Sequence, residues 1–172
     1  VLANAQSFLR EIKGHLTSNA RFRERFGDWS ATATKWTEST VIVPRPRIMK
    51  EPSIAVCGVL GTVVSMHPDL IIADDLISTN NSTTLLQRNK VSSWFRTVVL
   101  PMLEPNGQMA LVGTRYHYND LYAELLTDPG FASWHKIIQK AEWKDEDGSR
   151  HLLFPERFSP ERSLQIFKQI ND

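Results

Sequence analysis

Apolar residues recur every three or four positions in several stretches of the chain, and this spacing predicts helices. The first stretch is ANAQSFLREIKGHL, and a short basic helix follows in NARFRERFGDW, where Gly27 is expected to end it. Polar capping residues open the helix in NNSTTLLQRNKVSSWFRTVVLPML, which we expect to end at Pro101. YNDLYAELL predicts another helix, capped by Asn119 or Asp120, and a terminal helix is expected from about Ser159.

Shorter apolar runs between these helices predict strands. STVIVP and SIAVCGVL are expected to form a loose hairpin across the proline-broken segment RPRIMKE. DLIIAD is a continuous apolar run, typical of a strand buried on both faces of a parallel sheet. QMALVGTR and SWHKIIQKAEW predict two further strands. Strands that alternate with helices favour an α/β fold with three layers and a mainly parallel sheet.

Composition narrows the class of protein without naming a function. The 172 residues are 41% hydrophobic and carry a net charge of +1, which suits a globular domain. The first 50 residues hold nine Lys and Arg against four Asp and Glu, so this third of the chain can face phosphate or simply be solvated. The single cysteine excludes an internal disulfide. The sequence lacks a long apolar run, and no membrane partner is expected.

Two acidic residues follow the run LIIA directly, and a second polar group follows the next strand. Asp74 and Asp75 end DLIIADD, whereas Thr114 and Arg115 end MALVGTR. One helix separates these strands in the chain, so the strands can be neighbours whose carboxyl ends meet at one edge of the sheet. A metal ion would reconcile two adjacent carboxylates. An apolar strand that ends in acidic residues is the Walker B pattern of nucleotide hydrolases.

The same pattern also fits a simpler explanation. Two aspartates after a strand are common as a helix cap or a turn. The phosphate-binding motif G-x-x-x-x-G-K-[ST] is absent, because GVLGTVVS has glycines but no lysine. A complete P-loop enzyme is therefore not encoded in these 172 residues.

Residues 67–126, from HPDLIIADDLISTNN through GTRYHYNDLYAELL, resemble the ATPase core of the large terminase subunits of tailed phages, which package DNA. The segment HLLFPERFSPERSLQIFKQ resembles the linker that precedes the nuclease domain of that family. The resemblance implies a P-loop NTPase sheet of the RecA-like (ASCE) type, incomplete at its N-terminal side. Residues 1–157 would be a partial ATPase domain that lacks the Walker A segment, and 158–172 would start the linker toward a missing nuclease.

The resemblance also implies roles for individual residues. Asp74 would be the Walker B carboxylate that serves Mg²⁺, and Asp75 would position or deprotonate the water that attacks ATP. Gly113, Thr114 and Arg115 match the coupling motif, which responds to the state of the bound nucleotide. The cofactors of the intact protein would be Mg²⁺ and ATP.

Other family features have less definite counterparts. His117 and Asp120 match family positions without a chemical role that the residues themselves support, and no arginine finger is assigned. The implied partners are double-stranded DNA, the small terminase subunit, the portal and further copies in a ring. The implied location is the cytoplasm of a bacterial host.

Three functions are therefore weighed. The first is an ATP-hydrolysing motor that drives DNA into a prohead, with the isolated chain inactive because it lacks the phosphate loop. The second is an inactive prophage remnant or truncated module with a structural or protein-binding role. The third is a metal-dependent nuclease, which would need more carboxylates at strand ends than the sequence offers.

Overall fold

A computed structural model of the chain describes residues 2–61, 63 and 66–171, with side chains of the last helix described through Ile166 and at Lys168. Three residues of the glycine-containing segment 58–65 lie outside this description. The chain divides into two compact units, one that ends at Pro129 and one that begins at Gly130. The predicted domain boundary between residues 157 and 158 stays a prediction.

The first unit opens with the two predicted helices and a small antiparallel sheet. Helix α1 spans Leu2–Ser18 and α2 spans Ala20–Phe26, where Gly27 ends the helix with a φ of +81°. The sheet has the order β1 (Lys35–Trp36), β2 (Thr40–Ile42) and β3 (Ile54–Ala55). The predicted hairpin is therefore confirmed as β2 and β3, although both strands are shorter than their apolar runs.

A parallel pair of strands lies between the remaining helices of this unit. Strand β4 spans Leu70–Asp74 and β5 spans Gln108–Val112, with Leu70 opposite Gln108 and Asp74 opposite Val112. The crossover between them contains α3 (Thr79–Ser82), α4 (Leu85–Trp94), a π-helical stretch (Phe95–Val99) and α5 (Leu100–Met102). This parallel pair and the mixed helix and strand content agree with the predicted α/β class.

Helix α4 starts where its sequence predicts. The Thr84 and Gln87 side chains accept each other's backbone N–H, a capping box with N···O distances of 2.9 and 3.2 Å. The sequence predicts that this helix ends at Pro101. In the structure it continues one residue farther, to Met102. Pro101 lacks an N–H and its ring crowds the preceding turn, so the helix widens, and the Leu100 N–H reaches back five residues to the Phe95 carbonyl.

Helix α6 (Leu121–Thr127) packs against α4 through polar groups. The Ser92 hydroxyl donates to Glu124 at 2.7 Å, and Arg96 contacts Glu124 at 3.3 Å and Asp128 at 2.7 Å. One such partly exposed ion pair contributes little, whereas a network of four side chains fixes the relative position of two helices. The buried core beneath them includes Val91, Phe95, Val99, Leu121 and Leu125.

Strand β4 is covered on one face only, and the prediction of burial on both faces is wrong. Ala73 is 6% exposed on the covered face, whereas Leu70 and Ile72 on the other face are 54% and 70% exposed. Val112 of β5 lies on the same open face and is 59% exposed. Among the described residues the parallel sheet has two strands, and nothing covers this face. This part of the fold therefore has two layers. Among the described residues β5 pairs with β4 alone, so its other edge is free there.

The second unit contains a hairpin and the terminal helix. Strands β6 (Glu142–Lys144) and β7 (Arg150–Leu152) pair antiparallel across residues 145–149, and helix α7 spans Pro160–Asn171. The prediction of a strand throughout SWHKIIQKAEW is wrong, because residues 133–141 are irregular. Ile137 and Ile138 are 77% and 66% exposed, so their β-branched side chains have no sheet to pack against. No helix in the described part of the chain has the length and apolar character needed to cross a membrane.

We expect the 172-residue chain to self-associate through the open face of β4 and β5. Unpaired strand edges and exposed apolar faces recruit other chains. Light scattering should give a mass above that of the monomer, and Ile72→Lys should lower it toward the monomer. Ile137→Lys changes an equally exposed isoleucine outside this sheet and serves as the control. A monomeric unchanged chain would contradict this expectation.

Candidate nucleotide-binding edge of the parallel sheet

The carboxylate pair lies at the carboxyl end of β4. Asp74 is the last residue of the strand, and its Cα lies opposite that of Val112 at the end of β5. The Asp75 N–H donates to the Val112 carbonyl at 3.0 Å, which extends the pairing by one bond beyond the strand. Both aspartates are exposed. The two strands therefore end level with each other, with two carboxylates at the solvent-facing edge.

A left-handed backbone at Asp75 makes this exposure possible. Its φ is +46°, and in the described part of the chain Leu60 is the other non-glycine residue with a positive φ. Aspartate adopts this conformation more readily than most residues. The chain turns sharply there, so that Leu76 and Ile77 return to the core at 7% and 1% exposure. The turn presents the carboxylates to solvent while the next residues anchor it.

The second predicted group, Gly113, Thr114 and Arg115, follows β5 directly. Thr114 stands two residues after Val112, whose carbonyl accepts the Asp75 amide. Thr114 and Arg115 are exposed, as the two aspartates are. The structure thus brings all five predicted site residues to the same edge of the parallel sheet. Their chemical roles stay predictions.

Gly113 is required by the close approach of Tyr122, a residue that the sequence analysis missed. A Cβ at position 113 would overlap the Tyr122 hydroxyl and lie 2.5 Å from the ring carbon that carries it. The hydroxyl accepts a hydrogen bond from the Leu76 N–H at 3.1 Å and donates to the Val112 carbonyl at 3.0 Å. A glycine that directly follows a strand signals such an approach, although it does not name the partner.

Burial and surrounding charge both act on the Tyr122 phenol. The pKa of Tyr122 is raised to about 12, first because burial disfavours the phenolate. The Leu76 N–H, which stabilises negative charge on the oxygen, acts in the opposite direction. The carboxylates of Asp75, Asp74 and Asp120 add to the rise. The phenol therefore stays protonated in the pH range where proteins work, and it donates its proton to the Val112 carbonyl.

Asp120 anchors the loop that follows Thr114 and Arg115. It is fully buried, and one carboxylate oxygen accepts from the Ala123 N–H at 3.0 Å, which confirms it as the cap of α6. The other oxygen accepts from the N–H groups of Tyr116 and His117 at 2.8 and 3.0 Å. One buried carboxylate thus fixes both the start of a helix and the loop that carries Thr114 and Arg115.

His117 takes part in the same loop. Its ring nitrogen Nδ1 accepts from the Asn119 N–H at 3.0 Å, and its ring lies 4.2 Å from that of Tyr118. These contacts describe a loop histidine that stabilises a local turn.

The donor set at this edge fits Mg²⁺. Asp74 and Asp75 supply hard carboxylate oxygens, and neither forms an ion pair with a described residue. A group of three or more His, Cys, Asp and Glu side chains suited to hold a metal does not occur among the described residues. Mg²⁺ often binds through one or two carboxylates and keeps its other positions for water and substrate phosphates, so Asp74 alone suffices as its protein ligand.

Part of the chain is similar to the terminase large subunit of Enterobacteria phage T3. The two sequences are 29% identical over 114 residues, which make up 63% of this chain and 18% of the phage protein. The chain therefore spans less than a fifth of that relative. No protein-family model matches the chain. The similarity supports a distant relationship to terminase large subunits.

We expect Asp120→Ala to lower the free energy of unfolding by about 2–4 kcal/mol, because it leaves three N–H groups without their acceptor. Urea denaturation measures the change. Asp28→Ala is the matched control, since Asp28 also accepts two backbone N–H groups but is exposed, and water can replace it. Equal losses for the two variants would contradict the anchoring role of Asp120.

The raised pKa of Tyr122 also predicts a dependence of stability on pH. The folded protein holds this phenolic proton more tightly than the unfolded chain does, so the contribution is complete below the ordinary pKa of 10.0 and is lost as the pH rises toward about 12. Tyr122→Phe should remove that part of the alkaline loss. Denaturant titrations across this range compare the two proteins, with Tyr118→Phe as the control. Parallel alkaline losses in the wild type and Tyr122→Phe would contradict the prediction.

Proposed function

We propose that this chain is part of the ATP-hydrolysing motor of a phage terminase large subunit, which drives double-stranded DNA into a prohead. The observation that carries the proposal is the meeting of two polar strand ends at one parallel edge. Asp74 and Asp75 follow β4, and Thr114 and Arg115 follow β5, with Asp75 bonded to the last residue of β5. Open α/β sheets bind ligands at such an edge. The similarity to the phage T3 protein supports the choice of family.

Each residue has a defined task in this proposal. Asp74 would hold Mg²⁺, and the bound metal would supply positive charge toward the phosphates of ATP. Asp75 orients or deprotonates the attacking water, for which its exposed position at the turn is suited. Thr114 and Arg115 respond to the γ-phosphate, and Gly113 leaves room for the Tyr122 ring, whose hydroxyl bonds the turn after β4.

The remaining parts of the motor come from elsewhere in a longer protein. The phosphate-binding loop and its lysine lie upstream in this proposal, and their strand completes a P-loop NTPase sheet of the RecA-like type against the free edge of β5. A nuclease domain follows the linker that begins at residue 158. The motor works in the cytoplasm of a bacterial host, as a ring of copies with the small terminase subunit and the portal as partners.

The proposal predicts that Asp74→Ala in the longer protein abolishes ATP turnover, with a loss of about 100-fold or more, because the metal loses its protein ligand. Asp69→Ala is the matched control, since it removes an exposed carboxylate at the opposite end of the same strand. Phosphate release measures the turnover.

The isolated 172 residues should hydrolyse ATP no faster than buffer, because the proposal assigns the phosphate loop to another segment. Robust hydrolysis by these residues alone would contradict the assignment. Full activity of Asp74→Ala in the longer protein would contradict it as well.

A further inference from the structure

We propose that Tyr122 is a positioning residue of this site, whose hydroxyl holds the Asp75 turn and the start of the coupling loop in one fixed arrangement. This inference rests on the proposed function, because it assigns a task within the same nucleotide site. Tyr122 lies in α6 and touches neither the nucleotide nor the metal in this proposal. It acts through the backbone of two strand ends.

The hydroxyl joins three elements at one point. It receives the Leu76 N–H from the turn after β4, and it donates to the Val112 carbonyl at the end of β5. The same carbonyl accepts the Asp75 N–H, so Val112 receives two hydrogen bonds, each 3.0 Å long. The turn of β4, the end of β5 and α6 therefore share a single hydrogen-bonded node directly beneath the carboxylates.

The strained backbone makes this node necessary. Asp75 stands at a φ of +46°, a conformation that a non-glycine residue keeps only where neighbouring contacts stabilise it. The flanking N–H groups of Asp75 and Leu76 both donate into the node. A phenylalanine at position 122 would keep the ring but leave the Leu76 N–H, on a buried residue, without an acceptor. The turn would then relax and carry both carboxylates with it.

The position of Tyr122 is itself fixed from two sides. Asp120 caps α6 two residues earlier and also bonds the loop at Tyr116 and His117. Gly113 leaves no atom between its backbone and the Tyr122 ring. The hydroxyl is thus held in one position. Because it bonds both strand ends, it fixes the distance between the carboxylates and Thr114. A displacement of about 1 Å in such a site lowers turnover by as much as 10²-fold.

The test uses Tyr122→Phe in the full-length protein. We expect kcat for ATP to fall by about tenfold to a hundredfold with little change in KM, because the reacting groups are displaced while nucleotide contacts remain. Hydrogen exchange at the amides of Asp75 and Leu76 should become faster, and exchange in α4 should stay unchanged. Tyr118→Phe, at a residue that is 83% exposed, is the matched control. It should leave kcat, KM and hydrogen exchange unchanged.

Each outcome decides one of the two proposals. An active wild type with unchanged kcat or unchanged exchange in Tyr122→Phe overturns the positioning role alone. A full-length wild type without ATPase activity overturns the proposed function, and the positioning role falls with it.

A second variant covers the case in which Tyr122→Phe does not fold. Replacement of Tyr122 by 3,5-difluorotyrosine keeps the ring and both hydrogen-bonding atoms but makes the phenol more acidic. The charged groups that face this phenol are Asp74, Asp75 and Asp120. Because the node requires the phenolic proton, the alkaline decline of kcat should move to lower pH. An alkaline decline that does not move overturns the proposal.

Discussion

The parallel register of β4 and β5 is the constraint on which the candidate site depends. It sets Asp74 opposite Val112 and lets the Asp75 amide reach the Val112 carbonyl. A slip of one residue would turn every side chain of β4 to the other face of the sheet. Ala73, now buried, would exchange environments with its exposed neighbours, and the carboxylates would no longer stand level with the loop at Thr114. The burial of Ala73 and the placement of the carboxylates level with Thr114 therefore depend on the same register.

Polar side chains of α6 and of its N-terminal cap fix the backbone around the exposed edge. Asp120 accepts hydrogen bonds from the loop before α6, and Tyr122 bonds the turn after β4 and the end of β5. Glu124 of the same helix binds Ser92 of α4 and Arg96 of the π-helical stretch. Helix α6 thus connects the crossover, the turn after β4 and the loop after β5. The arrangement separates the exposed residues of the candidate site from the residues that fix their backbone, which is common in sites that need a precise geometry.

The sequence predicted those features that local residues decide by themselves. The polar cap that opens the helix after NNSTT, the cap of α6 at Asn119 or Asp120, the stop at Gly27 and the strand that leads into two aspartates all depend on near neighbours in the chain. It failed where distant partners decide. An apolar run such as DLIIAD looks the same whether one face of the strand is covered or both. Residues 133–141 of SWHKIIQKAEW have strand propensity but no strand to pair with, and only the end of the run joins β6. The hydrogen bonds of Tyr122 could not be predicted from the sequence for the same reason, since they join residues up to 46 positions apart.

The absence of a Cβ at Gly113 has a consequence for how relatives of this chain can vary. The space that a side chain at position 113 would need is filled by the phenol ring of Tyr122 and its hydroxyl. A homologue with a larger residue at position 113 is therefore expected to carry a smaller one at position 122. It would hold the turn after β4 by another donor and acceptor. The two positions are expected to covary during evolution, with tyrosine tolerated only beside glycine.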